Sequence, residues 1–334
     1  MPANKPKIAI NGFGRIGRAA FKIILDQKKY DLVAINDLAS VDSLAYLLQY
    51  DTVYGIYDKK VSASGQNIVV NGKKYHIYSQ PEPQKLPWKK LKVDVVLECT
   101  GRFVKNNAAR VHLRAGAQKV IISAPAKGGN VNTFLLGVNE ESYNKQKIVS
   151  NASCTTNCIA PVAQVMVKNF GVEKAMMTTI HSYTADQKLV DAPHKDPRRG
   201  RTAGQNIVPT TTGAAIATSQ VIPELKGLFD GLSIRVPTPV VSLSDFTFVV
   251  KKNVTVDQVN QALIKASKSS RLRGVLGVTS EPVVSSDFIG DTRSSIVDLS
   301  LTKVVGNNLV KIIAWYDNEW GYANRLVDMI GQVV

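Results

Sequence analysis

Three glycines near the start of the chain constrain its fold more than any other feature. Gly12, Gly14 and Gly17 form a G-x-G-x-x-G motif directly after the short apolar run at residues 7–10. Apolar residues at helical spacing follow, which predicts an amphipathic helix that begins inside the motif. A strand, a glycine-rich turn and a helix in this order are typical of a nucleotide-binding unit, because glycine lets a pyrophosphate approach the helix N-terminus closely.

The residue that ends the next apolar run indicates which nucleotide is bound. Residues 32–35 are apolar and lead into Asn36 and Asp37, about 20 residues past the motif. A carboxylate at this position hydrogen-bonds the adenosine ribose and repels a 2′-phosphate. Asp37 therefore predicts NAD rather than NADP, although a glycine-rich turn and a capping aspartate would also explain the pattern.

Strand-like and helix-like segments alternate up to about residue 150, which predicts a parallel sheet with helices between its strands. The further elements predicted here are helices at 41–50 and 106–115, strands at 93–99 and 120–122, and a hairpin at Asn71-Gly72. Ligands bind beyond the carboxyl ends of the strands in such sheets. Thr100 and Ser123 follow two of these strands, so they are candidate cofactor contacts.

A polar stretch with two cysteines, residues 150–158, marks the centre of the chain. A short apolar run precedes it and helical spacing follows, so Cys154 is predicted in a first helical turn. Unpaired N–H groups and the helix dipole there favour a thiolate and lower the pKa of a thiol. Cys154 is therefore a candidate nucleophile, and Cys158, one turn later, is predicted to be structural. A metal bound by both would need further ligands, and none follows at clear spacing, so no metal is expected.

The second half of the chain has a different pattern. Strands are predicted at 176–181, 240–250, 283–289, 295–301 and 309–316, with a helix at 254–266. This arrangement implies a mixed or antiparallel sheet covered by helices. His181 ends the first of these strands and is a candidate base for Cys154, with a core or surface histidine as the alternative. Residues 183–206 lack periodicity and contain a cluster of arginines, and such long irregular segments are usually functional.

Two further places are suited to anions. Thr212 and Gly213 open a predicted helix, where hydroxyl and N–H groups fit a phosphate, although a plain helix cap has the same sequence. Arg235 follows a predicted strand and could clamp an anion or simply form a surface salt bridge.

The bulk properties limit the function classes. The chain has 334 residues, enough for two domains, a net charge of +16, and three cysteines. The absence of an 18-residue apolar run or an apolar signal core, with an odd, sparse set of cysteines, predicts a cytoplasmic protein with free thiols and no membrane partner. The charge favours anionic ligands, but no nucleic-acid-binding motif occurs, so no dedicated nucleic-acid partner is expected.

Six segments, in this order, resemble the phosphorylating glyceraldehyde-3-phosphate dehydrogenase family. They are residues 10–18 around the glycines, 152–157 around Cys154, 181–184 from His181, 211–215, 235–238, and 315–319. The resemblance implies an α/β fold: a Rossmann doubly wound dinucleotide-binding domain, residues 1–152 with the C-terminal helix 317–334, and an α+β catalytic domain with a mixed or antiparallel sheet, residues 153–316. It also implies a homotetramer in which residues 183–206 reach a neighbour's cofactor.

The resemblance implies oxidation of D-glyceraldehyde 3-phosphate with NAD and inorganic phosphate to 1,3-bisphosphoglycerate, through a cysteine hemithioacetal and thioester. Cys154 would be the nucleophile and His181 its activator. The implied NAD contacts are Gly12, Gly14, Arg15, Ile16, Gly17, Asp37, Thr100, Ser123 and Asn318. The implied contacts to substrate and inorganic phosphate are Ser153, Cys154, Thr155, Thr184, Thr212, Gly213 and Arg235.

Two positions depart from the family pattern. Gln80 stands where many relatives carry an arginine that approaches the adenine, and Ala192 is a small residue before Pro193, as in relatives that accept NADP. NAD preference is still expected, but less strictly. Two alternatives stay open: a related cysteine-dependent enzyme that oxidises erythrose 4-phosphate or a semialdehyde, and a basic nucleic-acid-binding protein on the same fold.

Replacement of the candidate nucleophile separates chemistry from cofactor binding. Cys154→Ser is expected to abolish dehydrogenase activity, because a serine hydroxyl cannot form the thioester, and to leave NAD binding nearly intact. Turnover and NAD binding are measured on the same preparation. Turnover like that of the wild type in this variant would exclude Cys154 as the nucleophile.

Overall fold

A computed structural model describes residues 5–334 of the chain. These residues form two compact units. The first comprises the described residues through Phe134 together with Glu141–Ala152 and Ala323–Val334, and the second comprises Leu135–Glu140 and Ser153–Tyr322.

The first unit contains a nine-stranded sheet and a separate two-stranded ribbon. Its strands are β1 (Lys7–Asn11), β2 (Asp31–Asn36), β3 (Tyr50–Asp51), β4 (Gly55–Ile56), β5 (Val61–Ser64), β6 (Asn67–Val70), β7 (Lys73–Tyr78), β8 (Val95–Glu98), β9 (Lys119–Ile122), β10 (Asn132–Thr133) and β11 (Ile148–Ser150). The large sheet has the order β10-β11-β9-β8-β1-β2-β7-β6-β5, and β3 pairs with β4. All pairings from β10 to β7 are parallel, and β6 and β5 add an antiparallel hairpin at one edge.

In the sheet, β1 lies between β2 and β8. The chain therefore continues from β1 toward one edge of the sheet and later returns to build the other edge from β8, so the strand order reverses between β1 and β8. In doubly wound sheets, this switch point is where dinucleotides bind. The helices of the first unit are α1 (Arg15–Gln27), α2 (Val41–Gln49), α3 (Trp88–Leu91) and α4 (Arg110–Arg114). The α/β doubly wound class predicted from the sequence is confirmed, and the Asn71-Gly72 turn does join the hairpin strands β6 and β7.

The second unit contains an eight-stranded mixed sheet. Its strands are β12 (Val172–Ser182), β13 (Val208–Thr211), β14 (Phe229–Val236), β15 (Ser242–Val250), β16 (Leu276–Thr279), β17 (Ser295–Asp298), β18 (Lys303–Val305) and β19 (Leu309–Tyr316), in the order β13-β14-β12-β15-β19-β17-β16 with β18 beside β19. Its helices are α5 (Cys154–Phe170), α6 (Ala214–Val221) and α7 (Val256–Ser267), and α8 (Trp320–Val333) ends the chain. Most of these pairings are antiparallel, and β12 pairs with β14 in parallel. The mixed sheet predicted for the catalytic domain is therefore confirmed.

Two predicted elements are wrong. The helix predicted at 106–115 is reduced to α4, because Asn106 and Asn107 have φ angles of 49° and 60°. Asparagine tolerates this left-handed region, and the Asn106 N–H donates to the Lys127 carbonyl instead of starting a helix.

The strand predicted at 283–289 is a 3₁₀ turn at Ser285–Phe288. The carboxylate of Asp287 accepts a hydrogen bond of 2.7 Å from the Val284 N–H, which caps the turn and removes that donor from any ladder. The strand predicted at 295–301 is shortened for a similar reason, since Asp298 caps a second 3₁₀ turn at Leu299–Leu301.

Between residues 5 and 334, no helix is both long enough and apolar enough to cross a membrane.

The glycines of the first turn serve different purposes, and this generates a stability prediction. A Cβ at Gly17 would lie 2.1 Å from the Gly12 carbonyl oxygen, whereas a Cβ at Gly14 would have no atom within 4 Å. Gly17→Ala is therefore expected to lower the free energy of unfolding by about 1–3 kcal/mol, because α1 must move away from the turn. Gly14→Ala is the matched control and should leave stability nearly unchanged in urea denaturation. Equal stability of the two variants would contradict this packing role for Gly17.

Candidate active site

Cys154 and His181 come together although 27 positions separate them. Cys154 is the first residue of α5, and His181 lies near the end of β12. The Sγ atom of Cys154 is 3.6 Å from Nε2 of His181. The helix begins here because Ser153 caps it: its hydroxyl oxygen accepts a hydrogen bond of 3.1 Å from the Thr156 N–H. The positions of both residues, each predicted from the sequence, place a thiol against an imidazole.

The protonation state of His181 follows from its other ring nitrogen. Nδ1 lies 2.7 Å from the carbonyl oxygen of Ser182, which can only accept a hydrogen bond. Nδ1 must therefore carry a proton. In the neutral ring, the lone pair of Nε2 then faces the thiol, so His181 is oriented to accept the thiol proton.

The charge state of this pair differs from the sequence expectation. Burial raises the pKa of the Cys154 thiol, and it outweighs the opposite effects of the Arg235 charge and of the Thr155 and Cys154 N–H groups. Burial, with the charge of Arg235, lowers the pKa of His181 to about 3. The expected lowering of the thiol pKa by the helix terminus is thus opposed by desolvation. Taken singly, each group is neutral at pH 7, so a thiolate at Cys154 requires a base that takes the thiol proton, and Nε2 of His181 is placed to do so.

A tyrosine that the sequence analysis did not single out supports both partners. Tyr316 is buried, and its ring packs edge-on against the ring of His181, with 6.0 Å between centroids. Its hydroxyl lies 3.0 Å from Oγ1 of Thr155 and 2.8 Å from Oγ1 of Thr179. The hydroxyl of Thr155 is therefore directed into the protein, toward Tyr316. Thr155 therefore ties the start of α5 to the sheet, and its predicted contact with the substrate stays a prediction.

Arg235 lies beside His181 on the neighbouring strand, since the two residues are paired in register across β12 and β14. One guanidinium nitrogen, Nη1, donates to Oγ1 of Thr184 at 2.8 Å and to the Ser182 carbonyl oxygen at 3.1 Å. Its Nε is buried and has no hydrogen-bond partner among the described residues. A buried, unpartnered N–H of a cation is costly unless an anion accepts from it. Arg235 and Thr184, both predicted from the sequence, therefore form the start of an anion site.

Arg199 lies beside Arg235 and Thr184 and forms with them the anion cluster. The sequence analysis noted it only as a member of a group of arginines. Its guanidinium pairs with the carboxylate of Asp186, which also accepts a hydrogen bond from the Thr184 hydroxyl. Burial would raise the pKa of Asp186, but the Thr184 hydrogen bond and the charge of Arg199 hold it below its usual range. The two guanidinium groups are close enough that Arg199 lowers the pKa of Arg235, in addition to the larger effect of burial. Arg199 also lies 3.6 Å from the carboxylate of Asp196, so the two cations face two carboxylates, and the buried Nε–H of Arg235 is the donor left for an anion.

Thr212 and Gly213 lie at the start of α6, as predicted. Gly213 is the residue before the helix, and Oγ1 of Thr212 accepts a hydrogen bond of 3.2 Å from the Ala214 N–H. The two residues belong to the same unit as Arg235, because β13 pairs with β14 directly before this turn. Their contact with a phosphate stays a prediction.

Part of the predicted cofactor set of the first unit lines a cavity of about 660 Å³ at the carboxyl ends of β1, β2 and β8, whereas Gly17 does not line it. Gly12, Gly14, Asp37 and Thr100 line this cavity, as does Gln80. Gly12 has a φ of 95°, and a Cβ there would lie 2.8 Å from the Thr100 nitrogen. The residue is therefore glycine because of both its backbone conformation and its close contact with the next strand. The cavity size and the helix N-terminus beside it fit a dinucleotide.

The carboxylate of Asp37 accepts hydrogen bonds from two backbone N–H groups of the protein. One carboxylate oxygen accepts a hydrogen bond of 2.7 Å from the Phe13 N–H, and the other accepts one of 3.0 Å from the Ala39 N–H. The side chain thus holds the glycine turn to the end of β2.

Arg15, Ile16 and Ser123 do not line the cavity. The Arg15 guanidinium forms an ion pair with Asp51 at 2.9 Å, so any contact of this residue with a pyrophosphate would come from its backbone in the first turn of α1. Ile16 is the second residue of that helix, and Ser123 follows β9, with its N–H bonded to the Glu98 carbonyl oxygen at 3.0 Å.

Asn318 belongs to the second unit and is almost fully buried. Its carbonyl oxygen accepts hydrogen bonds from the hydroxyls of Ser182, at 3.0 Å, and Ser242, at 2.9 Å. These two bonds fix the orientation of the amide, so its NH₂ group is the part left to donate to a ligand.

Comparison with known proteins gives this geometry a family. Residues 153–318 match the family model of the glyceraldehyde 3-phosphate dehydrogenase C-terminal domain, and residues 6–106 match that of the NAD binding domain. The glyceraldehyde-3-phosphate dehydrogenase of Geobacillus stearothermophilus is 49% identical over 329 residues, which cover 98% of each chain. This chain belongs to the glyceraldehyde-3-phosphate dehydrogenase family.

Other members of the glyceraldehyde-3-phosphate dehydrogenase family match equally well. The enzyme of Zymomonas mobilis is 50% identical over 330 residues, which cover 98% of each chain. Glyceraldehyde-3-phosphate dehydrogenase 1 of Kluyveromyces marxianus is 49% identical over 328 residues, which cover 98% of this chain and 99% of the relative. The resemblance drawn from six segments is confirmed, whereas the roles of single residues stay predictions.

The geometry of the pair predicts how the reactivity of Cys154 depends on pH. Nε2 of His181, 3.6 Å from the Sγ atom of Cys154, is oriented to accept the thiol proton, so its removal must shift thiolate formation to higher pH. In His181→Asn, the pH profile of alkylation by iodoacetamide is expected to move upward by about one unit or more, and the rate at pH 7 to fall roughly ten-fold. His194→Asn, a histidine elsewhere in the same unit, is the control. Superimposable profiles for His181→Asn and the wild type would show that the pair is not coupled.

Proposed function

We propose that the chain oxidises D-glyceraldehyde 3-phosphate with NAD and inorganic phosphate to 1,3-bisphosphoglycerate. The observation that carries this proposal is the thiol–imidazole pair of Cys154 and His181 beside the unpartnered guanidinium N–H of Arg235. A nucleophile next to an anion site suits an aldehyde that carries a phosphate. Family membership supports the same reaction.

The pair supplies the covalent chemistry. Nε2 of His181 takes the thiol proton, and the thiolate of Cys154 attacks the aldehyde carbon to form a hemithioacetal. The oxyanion is stabilised by the protonated Nε2 and by the N–H of Cys154 at the start of α5, where each donor contributes about 3–4 kcal/mol. Loss of a hydride from the carbon then gives the thioester on Cys154. Inorganic phosphate attacks this thioester, so the acyl group leaves as the acyl phosphate and the thiolate is restored.

The anion cluster positions the substrate. Arg235, with Thr184 and Arg199, is proposed to bind the phosphate of the substrate, and Ser153, Thr212 and Gly213 the inorganic phosphate. The charge-assisted hydrogen bonds of a guanidinium fix both distance and direction, so the aldehyde carbon is held near the thiol.

NAD fits the first unit on three observations: the positive φ at Gly12, the open space at Gly14, and the carboxylate of Asp37 at the end of β2. When bound, NAD accepts the hydride. The glycine turn and Asp37 are proposed to hold its adenosine and pyrophosphate, and Asn318 to donate its amide hydrogen to it. Asp37 disfavours a 2′-phosphate and therefore NADP.

We also propose a homotetramer. Exposed apolar side chains on the second unit support this assembly: Met176, Leu232, Leu189, Val190 and Ile207. Met176 on β12 is 60% exposed and Leu232 on β14 is 42% exposed, and a groove of about 650 Å³ passes beside Met176. Apolar surface of this kind on a compact protein marks an interaction site.

Domain division and localisation are proposed on similar terms. A division into residues 1–152 with 317–334, and 153–316, is supported by the contacts that join Ala323–Val334 to the first unit. Two segments depart from this division, because Leu135–Glu140 and residues 317–322 pack with the second unit. The cytoplasm is the proposed compartment, and the free thiols of Cys99, Cys154 and Cys158 support it.

The reaction is tested by following absorbance at 340 nm with glyceraldehyde 3-phosphate, with and without inorganic phosphate. Without phosphate we expect a burst of about one NADH per site, because the thioester cannot be discharged, and with phosphate continuous turnover. NADP should react far more slowly because of the Asp37 carboxylate. Erythrose 4-phosphate and a semialdehyde are the comparison substrates. Faster turnover of either, or phosphate-independent turnover, would contradict the proposed reaction.

A further inference from the structure

A buried network of polar side chains lies directly beneath the dinucleotide cavity. Its centre is Glu98, the last residue of β8, whose side chain is fully buried. The network continues on one side to His112 and Trp88 and on the other to Asn11 and Asn36. None of the described mechanistic steps uses Glu98 or His112.

The carboxyl group of Glu98 is buried, and donors occupy both of its oxygens. Oε2 accepts from Nε2 of His112 at 2.8 Å and from Nδ2 of Asn11 at 2.6 Å. Oε1 accepts from the N–H of Thr100 at 2.8 Å and from its hydroxyl. A buried charge is tolerated only with such full satisfaction, so the donors must hold these positions.

The direction of each hydrogen bond is fixed from outside the network. The indole N–H of Trp88 can only donate, and it lies 3.2 Å from Nδ1 of His112. Nδ1 is therefore an acceptor, and Nε2 must carry the proton that His112 donates to Glu98.

At the other end, a backbone N–H fixes the two asparagines. The Gln80 N–H donates to Oδ1 of Asn36 at 2.9 Å, so Nδ2 of Asn36 faces Oδ1 of Asn11 at 2.7 Å. Nδ2 of Asn11 is then left to face Glu98. Both side-chain oxygens of residue 98 must therefore accept hydrogen bonds. The NH₂ group of a glutamine at this position would face a neighbouring N–H donor.

The network ends on the surfaces that form the cavity. Asn11, Asn36, Gln80 and Thr100 all line it. Thr100 is also the residue against which Gly12 packs, since a Cβ at Gly12 would meet the Thr100 nitrogen at 2.8 Å. By holding that nitrogen, the carboxylate of Glu98 sets the distance between the glycine turn and the end of β8.

We infer that Glu98 and His112 are positioning residues for the cofactor, whose hydrogen bonds hold the carboxyl ends of β1, β2 and β8 in the geometry that binds the adenosine and pyrophosphate half of NAD. The inference rests on the proposed function for the identity of the cofactor. Both residues belong to the first unit and the thiol–imidazole pair to the second, so we expect their effect on cofactor affinity and not on the chemical step.

The test compares two carboxylate-to-amide changes at opposite ends of the same strand. Glu98→Gln disturbs the cavity end of β8. Asp94→Asn is the matched control, because Asp94 accepts from the Lys7 N–H at 2.8 Å and from Gln118 at 2.9 Å at the far end of β1 and β8. Dissociation constants for NAD and for ADP-ribose are measured by calorimetry on the intact protein, together with kcat at saturating NAD, Tm, and hydrogen exchange of the Thr100 amide.

Glu98→Gln is expected to raise both dissociation constants about ten-fold, to leave kcat within about two-fold, and to speed exchange of the Thr100 amide. Asp94→Asn should lower Tm and leave both constants within about two-fold. If Glu98→Gln does not fold, His112→Leu takes its place, because it leaves the hydrogen bonds of Glu98 with Asn11 and Thr100 intact. Both dissociation constants are then expected to rise about three-fold. His112→Gln should partly reverse this rise, because it restores a donor to Glu98.

Three outcomes would overturn the inference: unchanged constants in Glu98→Gln or His112→Leu, a loss of kcat with unchanged constants, or an equal rise in Asp94→Asn. Each of these requires that the wild type binds NAD. A wild-type chain that binds neither NAD nor ADP-ribose would instead refute the proposed function, so the two failures are distinguishable.

Discussion

The hydrogen bond between Nδ1 of His181 and the carbonyl oxygen of Ser182 determines what the active site can do. A carbonyl cannot donate, so this 2.7 Å contact fixes the tautomer and leaves a lone pair on Nε2, facing the thiol of Cys154. Without it, the ring could present an N–H to the sulfur and would not accept its proton. The bond is made by backbone adjacent to the histidine itself, so the end of β12 carries both the base and the group that orients it.

The second unit uses one physical device twice. Side chains around each site are bonded to neighbours in a way that leaves one particular group available. Two serine hydroxyls donate to the carbonyl oxygen of Asn318, so its NH₂ group is left available to a ligand. Nη1 of Arg235 donates to Thr184 and to Ser182, so its Nε is left available to a ligand. Such preorganisation means that a ligand meets donors that are already aimed, and little ordering remains to oppose binding.

Local patterns explain what could be predicted from the sequence. The glycine motif, Asp37 and the helix that begins at Cys154 depend on residues a few positions apart, and all three lie where the sequence indicates. The pairing of Arg199 with Asp186 depends instead on the path of an irregular segment, which has no period to read. The prediction of a helix at 106–115 was wrong because Lys105 and Asn106 pair with a distant segment. The expected lowering of the Cys154 pKa was wrong because burial, a property of the tertiary structure, raises it.

The double role of Asp37 limits how cofactor choice can change. Its carboxylate is the group proposed to disfavour a 2′-phosphate, yet it also accepts a hydrogen bond from the Phe13 N–H within the glycine turn. An uncharged small residue at position 37 would make room for the extra phosphate and at the same time release the turn that grips the pyrophosphate of either dinucleotide. Selectivity and overall affinity are thus coupled through one side chain. A change of this chain to NADP use, by evolution or by engineering, would need a second substitution that supplies a new acceptor for the Phe13 N–H. A single substitution is therefore unfavourable.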